Sequence, residues 1–261
     1  MAQNVYNAAV RKPLAGRSVI ITRPRAKSGE VAAALAKLGA RVIHAPLIRI
    51  VPPRSWGPLD AALKTFRHYD AVAFTSSNSV DFFFARMKNV LGRKPAAPRV
   101  LAAVGRATAN AVKNSGWRCH VIPEDAHAAG LTKALRVPRG ARVLIPRAER
   151  GLDTLPKSLR TAGARVTVVS AYRTVSDPGG LRCLRRALAL GADAVCFASG
   201  SAAALGARDS ALSGAAAVAI GPTTAAALRA RGVIPAAVAK RPDPESFARA
   251  VVQALRGRPT V

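Results

Sequence analysis

The chain has 261 residues, half of them apolar and 21% charged, and 41 Lys plus Arg against 13 Asp plus Glu give a formal charge of +28. That apolar share argues against disorder, and no apolar run reaches the roughly 18–20 residues of a spanning helix, so neither a disordered nor a transmembrane protein is expected. Cys119, Cys183 and Cys196 form no CxxC pair, which argues against a disulfide scaffold or zinc module and makes a cytoplasmic location the expectation.

Residues 1–11 lack the apolar core of a secretion signal. The first strand is expected at Val19–Thr22, a short apolar run of the kind buried in parallel sheets. A helix over Ser28–Leu38 stops at Gly39, and a strand at Val42–His44 follows. Pro46-Leu-Ile-Arg-Ile-Val-Pro-Pro53 then breaks the alternation and reads as an extended linker. Further strands are expected at Ala71–Phe74, Val100–Val104, His120–Ile122 and Val143–Ile145. A second helix over Leu152–Ala162 stops at Gly163, and a strand at Val166–Val169 runs up to a second linker, Val169-Ser-Ala-Tyr-Arg-Thr-Val175. The last strands fall at Ala194–Phe197, Ala217–Ile220 and Ala236–Val238.

The chain repeats itself. Gly16-Arg-Ser-Val-Ile-Ile-Thr-Arg23 falls on Gly140-Ala-Arg-Val-Leu-Ile-Pro-Arg147, and Gly39-Ala-Arg-Val42 falls on Gly163-Ala-Arg-Val166. Asp70-Ala-Val-Ala-Phe-Thr-Ser76 meets Asp193-Ala-Val-Cys-Phe-Ala-Ser199, and Val104-Gly-Arg-Ala-Thr108 meets Ile220-Gly-Pro-Thr-Thr224, all in the same order. Two copies of one plan of about 120 residues are implied. Alternating strands and helices predict an α/β protein with two doubly wound, flavodoxin-like parallel sheets. If the two linkers pair, one domain comprises 1–45 plus 176–261 and the other 54–168, with 46–53 and 169–175 between them.

Ligands of open parallel sheets bind past the carboxyl ends of the strands. The residues there are small, hydroxylic or basic: Thr22 and Arg23; Thr75, Ser76 and Ser77; Gly105 to Thr108; Arg147; Ser199, Gly200 and Ser201; Gly221 to Thr224. Most open a helix, where free N–H groups and the helix dipole favour anions. Serine and threonine also cap helices and glycine also permits tight turns, but six such turns point to a site for carboxylates or phosphates.

Other chemistries lack their residues. No Gly-x-Gly-x-x-Gly or P-loop pattern occurs, Asp70 and Asp193 precede their strands and read as structural, and no serine has a Gly-x-Ser-x-Gly setting. His44, His68, His120 and His127 show no ligand spacing, so no metal site is expected. An enzyme of this composition would act by positioning a reactive substrate. Tyr172 stands opposite Ile48 in the repeat, and a phenol on a linker is a candidate proton donor. The charge alone favours an anionic partner, yet its arginines are scattered and seven Phe, three Tyr and two Trp offer no stacking platform, so nucleic acid is not expected. A two-lobed anion-binding protein and a glycosyltransferase-like enzyme are the alternatives, the latter without an acid placed for a ribose.

Taken together, Ile20-Ile-Thr22-Arg23-Pro, Phe74-Thr-Ser-Ser-Asn-Ser-Val80, Ala103-Val-Gly105-Arg-Ala-Thr108-Ala, Leu144-Ile-Pro-Arg147, Tyr172-Arg-Thr174 and Ile220-Gly-Pro-Thr-Thr224-Ala resemble the uroporphyrinogen-III synthase family, from about Val19 to Leu255. The resemblance implies two α/β domains joined by a two-stranded antiparallel ladder. It also implies the conversion of hydroxymethylbilane to uroporphyrinogen III, with loss of water, inversion of ring D through a spiro intermediate, and no cofactor. Under it Tyr172 would assist departure of the hydroxyl, and the turns would grip the substrate's carboxylates. A cytoplasmic monomer is expected, without membrane or nucleic-acid partners, that receives its substrate from hydroxymethylbilane synthase. Ala198 departs from the pattern, since threonine is usual there.

Overall fold

The computed structural model of the protein describes residues 12–125, 128–207, 212 and 214–259, so that residues 1–11 and His127 lie outside the described residues. The strands are β1 (Ser18–Ile21), β2 (Arg41–His44), β3 (Ile48–Val51), β4 (Ala71–Phe74), β5 (Val100–Ala103), β6 (Arg142–Ala148), β7 (Arg165–Ser176), β8 (Ala194–Phe197), β9 (Ala216–Ala219) and β10 (Ala237–Val238). The helices are α1 (Gly29–Lys37), α2 (Gly57–Lys64), α3 (Ser77–Leu91), α4 (Arg106–Asn114), α5 (Ala128–Ala134), α6 (Thr154–Thr161), α7 (Pro178–Ala189), α8 (Gly200–Gly206), α9 (Pro222–Arg229) and α10 (Pro244–Leu255).

The chain divides into two compact units, unit 1 with Met1–Arg49 and Ser176–Val261 and unit 2 with Ile50–Val175. The sheet of unit 1 has the order β10-β9-β8-β1-β2, with every neighbouring pair parallel. The second sheet has the order β3-β7-β6-β4-β5, and β7-β6, β6-β4 and β4-β5 are parallel.

Both sheets are apolar on both faces because helices cover both. In unit 1, Val19, Ile21, Ala194, Cys196 and Val218 point to the side packed by Val31 and Leu35 of α1 and Phe247 and Val251 of α10. Ile20, Val195, Phe197, Ala217 and Ala219 point the other way, to Leu184 of α7, Ala203 of α8 and Leu228 of α9. In unit 2, Val72, Phe74, Leu101 and Leu144 meet α2, α3 and α4, while Ala71, Ala73, Val143 and Ile145 meet α5 and α6. Each fully buried Val, Ile or Phe contributes roughly 1.5–3 kcal/mol, so the period-two alternation along each strand specifies its register.

The sequence repeat becomes a structural one, with its halves exchanged. By alignment β6 and β7 repeat β1 and β2, and β8 and β9 repeat β4 and β5. Unit 1 is built from the first half of one copy and the second half of the other, and unit 2 from the remainder. Read from β2, unit 1 has the 2-1-3-4-5 winding of flavodoxin-like sheets. The run β7-β6-β4-β5 in unit 2 is the same winding with its chain order permuted. The aspartates before β8 and β4 serve it alike, since Asp193 Oδ2 accepts the Ser18 N–H and Asp70 Oδ2 accepts the Arg142 N–H, each at 2.8 Å.

One expected element differs, and two others are joined into one. The strand expected at Val166–Val169 and the linker expected at 169–175 are one unbroken strand, β7, with β3 hydrogen-bonded beside it in the sheet. Residues 165–176 contain no Gly or Pro and are rich in β-branched side chains, so the strand continues, with one register shift against β6 between the pairs Arg147–Ser170 and Ala148–Tyr172. The strand expected at His120–Ile122 is reduced to a single parallel bridge between Ala102 and Val121. Pro123 follows at once and removes a ladder donor.

Candidate functional site

Each sheet has one point at which its winding reverses, and the crevice outside the carboxyl ends of the two strands there is where such sheets hold ligands. In unit 1 the reversal lies between β1 and β8, and in unit 2 between β6 and β4. The candidate residues sort onto these two places and the strand ends beside them.

In unit 1, Thr22 follows β1 and is wholly buried. Its hydroxyl donates to the Cys196 carbonyl at 2.8 Å, so it locks β1 to β8 instead of presenting a free donor. Arg23, next in the chain, is half-buried. Burial pushes its pKa down, and the charge of Glu30 partly opposes this. Past β8, the Ser199 side chain accepts the Ala202 N–H at 3.2 Å, with Gly200 half-buried and Ser201 exposed beside it. Past β9, Gly221 caps α9 and Thr224 is buried in that helix's first turn.

Unit 2 repeats this layout with one addition. Thr75, Ser76 and Ser77 follow β4, and Ser76 Oγ accepts the Ser79 N–H at 3.2 Å to cap α3. The caps Ser76 and Ser199 share one backbone conformation, with φ −159° and −161°. Gly105 caps α4 and Thr108 is buried in its first turn. The addition is Tyr172 on β7, whose Oη lies 3.1 Å from Ser76 Oγ. Its ring stacks on Phe82 of α3 at 6.0 Å between centroids. Since β6 separates β7 from β4 in the sheet, this hydrogen bond crosses the end of β6 at the reversal point.

Gly105 and Gly221 adopt φ −171° and 179°, extended backbone open to any residue, so tight turning does not explain them. A Cβ on Gly221 would meet no heavy atom within 4 Å, and the bare backbone N–H groups there stay approachable. By contrast, Thr22, Thr108 and Thr224 are buried as parts of the sheet and helix starts. Arg147 is also committed, donating to the Leu152 carbonyl at 2.6 Å and to Asp153 Oδ1 at 2.8 Å, which pins the loop before α6.

Residue reading missed two features at these strand ends. His44 ends β2, with Nδ1 3.3 Å from the buried Ser28 hydroxyl. Burial first, and the charge of Arg25 second, lower its pKa. Glu149, the first residue past β6, donates its N–H to the Tyr172 carbonyl at 2.8 Å and places a carboxylate among basic neighbours. The signal was present in the repeat, where the matching position is Arg25. Among the described residues no cluster of three His, Cys, Asp or Glu side chains could hold a metal ion.

Comparison with known proteins gives one consistent answer. The family profile described as uroporphyrinogen-III synthase HemD matches residues 29–249. The uroporphyrinogen-III synthase of Synechococcus elongatus is 33% identical over 165 residues, 62% of this chain and 62% of that protein, so the match spans under two thirds of that relative's length. The Chlorobaculum parvum uroporphyrinogen-III synthase is 28% identical over 257 residues, 92% of this chain and 100% of that protein. A crystal structure of a mutant uroporphyrinogen III synthase from the extremely thermophilic bacterium Thermus thermophilus superposes with a TM-score of 0.68 at 25% identity, covering 92% of this chain and 99% of that one. The Helicobacter pylori enzyme superposes at 0.60 with 18% identity, over 92% of this chain and all of that one, a likeness of fold.

Proposed function

The chain belongs to the uroporphyrinogen-III synthase family, and from that premise we propose that it closes linear hydroxymethylbilane to uroporphyrinogen III, with loss of water and inversion of ring D through a spiro intermediate. The observation that carries the reading is the family match over residues 29–249, which takes in strands and turns of both units.

The substrate is a flexible chain of pyrroles edged with carboxylates, and it closes without help to the uninverted isomer. Catalysis therefore has to orient the reacting ends, and positioning alone can supply a large part of the rate. In the proposed arrangement, N–H groups at the turns of Ser77, Gly105, Ser199–Ser201 and Gly221, with the Arg23 guanidinium, hold side-chain carboxylates. Each charge-assisted hydrogen bond of this kind is worth about 1.5–3 kcal/mol. Thr22, Thr75, Thr108, Thr224 and Arg147 shape the turns that aim those groups.

Tyr172 is the proposed proton donor. Ser76 Oγ already accepts from the Ser79 N–H, and its own O–H is free to donate to Tyr172 Oη across their 3.1 Å separation. In that arrangement the phenolic proton points away from Ser76 and is available to the departing hydroxyl, while Phe82 restrains the ring. The reaction draws on no resident cofactor. The protein works as a monomer in the cytoplasm on substrate passed from hydroxymethylbilane synthase, and no helix among the described residues is long and apolar enough to cross a membrane.

The test is to supply freshly made hydroxymethylbilane to the purified chain and resolve the type I and type III isomers by chromatography. Predominantly type III product is expected. An isomer ratio equal to that of a protein-free control overturns the reading.

A further inference from the structure

Glu149 is anomalous. Its Oε2 is shut off from solvent without a hydrogen-bond partner, the one such buried side-chain atom among the described residues. The other oxygen has Arg54 Nε at 3.5 Å, from a side chain that is 74% exposed. The Glu149 side chain as a whole is 28% exposed, but a carboxylate offers about four acceptor sites, and one polar atom left buried and unsatisfied costs roughly 1–3 kcal/mol. The fold does not require an acid here, because the repeat carries Arg25 at the matching position. In a chain with 13 acids against 41 bases, an unpartnered carboxylate oxygen at the reversal point of unit 2 runs against composition as well.

Its location suggests what it faces. Glu149 directly follows β6, and its backbone N–H is bonded to the Tyr172 carbonyl at 2.8 Å. Every arm of the proposed substrate ends in a carboxylate, which Glu149 would repel. The substrate's only hydrogen-bond donors are its pyrrole N–H groups and its terminal hydroxyl. On the residue whose backbone N–H is bonded to the carbonyl of the proposed proton donor, an acceptor-only side chain therefore complements an N–H.

We infer that Glu149 accepts a hydrogen bond from the N–H of the pyrrole that bears the hydroxymethyl group, and that its charge stabilises the cation formed as water leaves. This inference rests on the activity proposed above. When the C–O bond breaks, its electron pair stays on oxygen, which takes the Tyr172 proton and departs as water. The pyrrole π-electrons form a double bond to the vacated methylene carbon, and the ring N–H is left with positive charge. A fixed carboxylate facing that N–H acts mainly after charge has developed, so it lowers the barrier more than it tightens substrate binding.

The experiment compares wild type, Glu149→Gln and Glu149→Asp as full-length proteins on freshly made hydroxymethylbilane. It reads kcat and KM for type III product, the share of type I, and the melting temperature. Glu149→Gln is expected to lower kcat by about tenfold or more with KM within about twofold, and to raise the type I share. Glu149→Asp, which keeps the charge, should recover at least about a third of the wild-type kcat by the same reasoning. The inference is overturned if Glu149→Gln matches wild type, or if KM rises at constant kcat. It is also overturned if both variants lose activity and melting temperature together. Wild-type protein that forms no type III overturns the activity reading and this inference with it, whereas an active wild type beside an equally active Glu149→Gln overturns this inference alone. Should Glu149→Gln not fold, an Asp variant that folds with less than a tenth of wild-type kcat counts against it, and one near wild type supports it.

Discussion

The hydroxyls of Ser76 and Tyr172 lie 3.1 Å apart, tying β7 to the cap of α3 across the end of β6. Removing either hydroxyl separates proton donation from mere shape. Tyr172→Phe keeps the stack on Phe82 and should lower kcat for type III product by about 10²-fold or more. Affinity for uroporphyrinogen III, read by quenching of Trp56, which lies 6.4 Å from Phe82 between ring centroids, should stay close to that of wild type. Ser76→Ala should fall between the two, and the double variant should be no worse than Tyr172→Phe. Additive losses would show that the two hydroxyls act separately. Ser76→Ala also gives up a helix cap worth about 0.5–2 kcal/mol, so melting curves accompany the kinetics.

Arg17 and Asp193 form a buried ion pair at 2.6 Å, and the same guanidinium donates to the carbonyls of Arg258 and Pro259. Arg17→Met leaves Asp193 with the Ser18 N–H as its remaining hydrogen-bond donor in this group of contacts. A loss of about 3–5 kcal/mol is expected for breaking such a pair. Urea denaturation checks this, and the double variant Arg17→Met with Asp193→Asn should recover part of the loss. A single variant as stable as wild type would contradict the prediction.

Gly180 sits in the first turns of α7 where the Pro46 carbonyl approaches, and a Cβ there would lie 1.7 Å from that oxygen. Backbone cannot yield as a flexible side chain can. Gly180→Ala should destabilise by about 1–3 kcal/mol or more, while Gly221→Ala, where a Cβ meets nothing within 4 Å, should leave stability nearly unchanged. Thermal unfolding of the two variants side by side decides it.

Asp60 accepts two hydrogen bonds from Arg86, at 2.7 and 2.6 Å, and these hold its carboxyl below the usual carboxylate pKa. A pKa lower in the folded than in the unfolded chain contributes stability above the unfolded value, and that contribution is lost as pH falls through the folded one. The stability gap between wild type and Asp60→Asn should therefore be widest near neutrality and close in acid. Urea midpoints measured across that range should converge, and a gap that stays constant would refute the linkage.

Burial raises the Cys196 thiol to about 12, and the Cys119 thiol is raised chiefly by burial as well. Thiolate is the reactive form. At mildly alkaline pH in native conditions Cys196 should resist alkylation, whereas unfolded protein should label at all three cysteines. Peptide mapping after brief iodoacetamide treatment reads the difference.

Much of this was legible in the sequence because a parallel sheet covered on both faces writes its strands as apolar runs, as at Ala71–Phe74 and Ala194–Phe197. Asp70 and Asp193 read as structural because they precede their strands, and both bind a neighbouring strand's N–H. The turns that carry the candidate site residues were legible as the starts of helices past the strand ends. It was not legible that Thr22 spends its hydroxyl on Cys196, or that Arg147 spends its guanidinium on Leu152 and Asp153, because both depend on partners chosen by the folded backbone. Nor could the length of β7 be read, since the residues that suggested a linker also continue a strand.

The exchange of repeat halves bears on synthesis. Unit 2 is a contiguous stretch, so its sheet can close while the ribosome is still adding the remainder. Strands β1 and β2, made first, must wait for β8, and Arg17 cannot complete its bonds until Pro259 has emerged. The segment holding β1 and β2, made before β8, is thus the last to complete its sheet, and premature termination would leave it with bare sheet edges, the kind of surface that invites aggregation and chaperone capture.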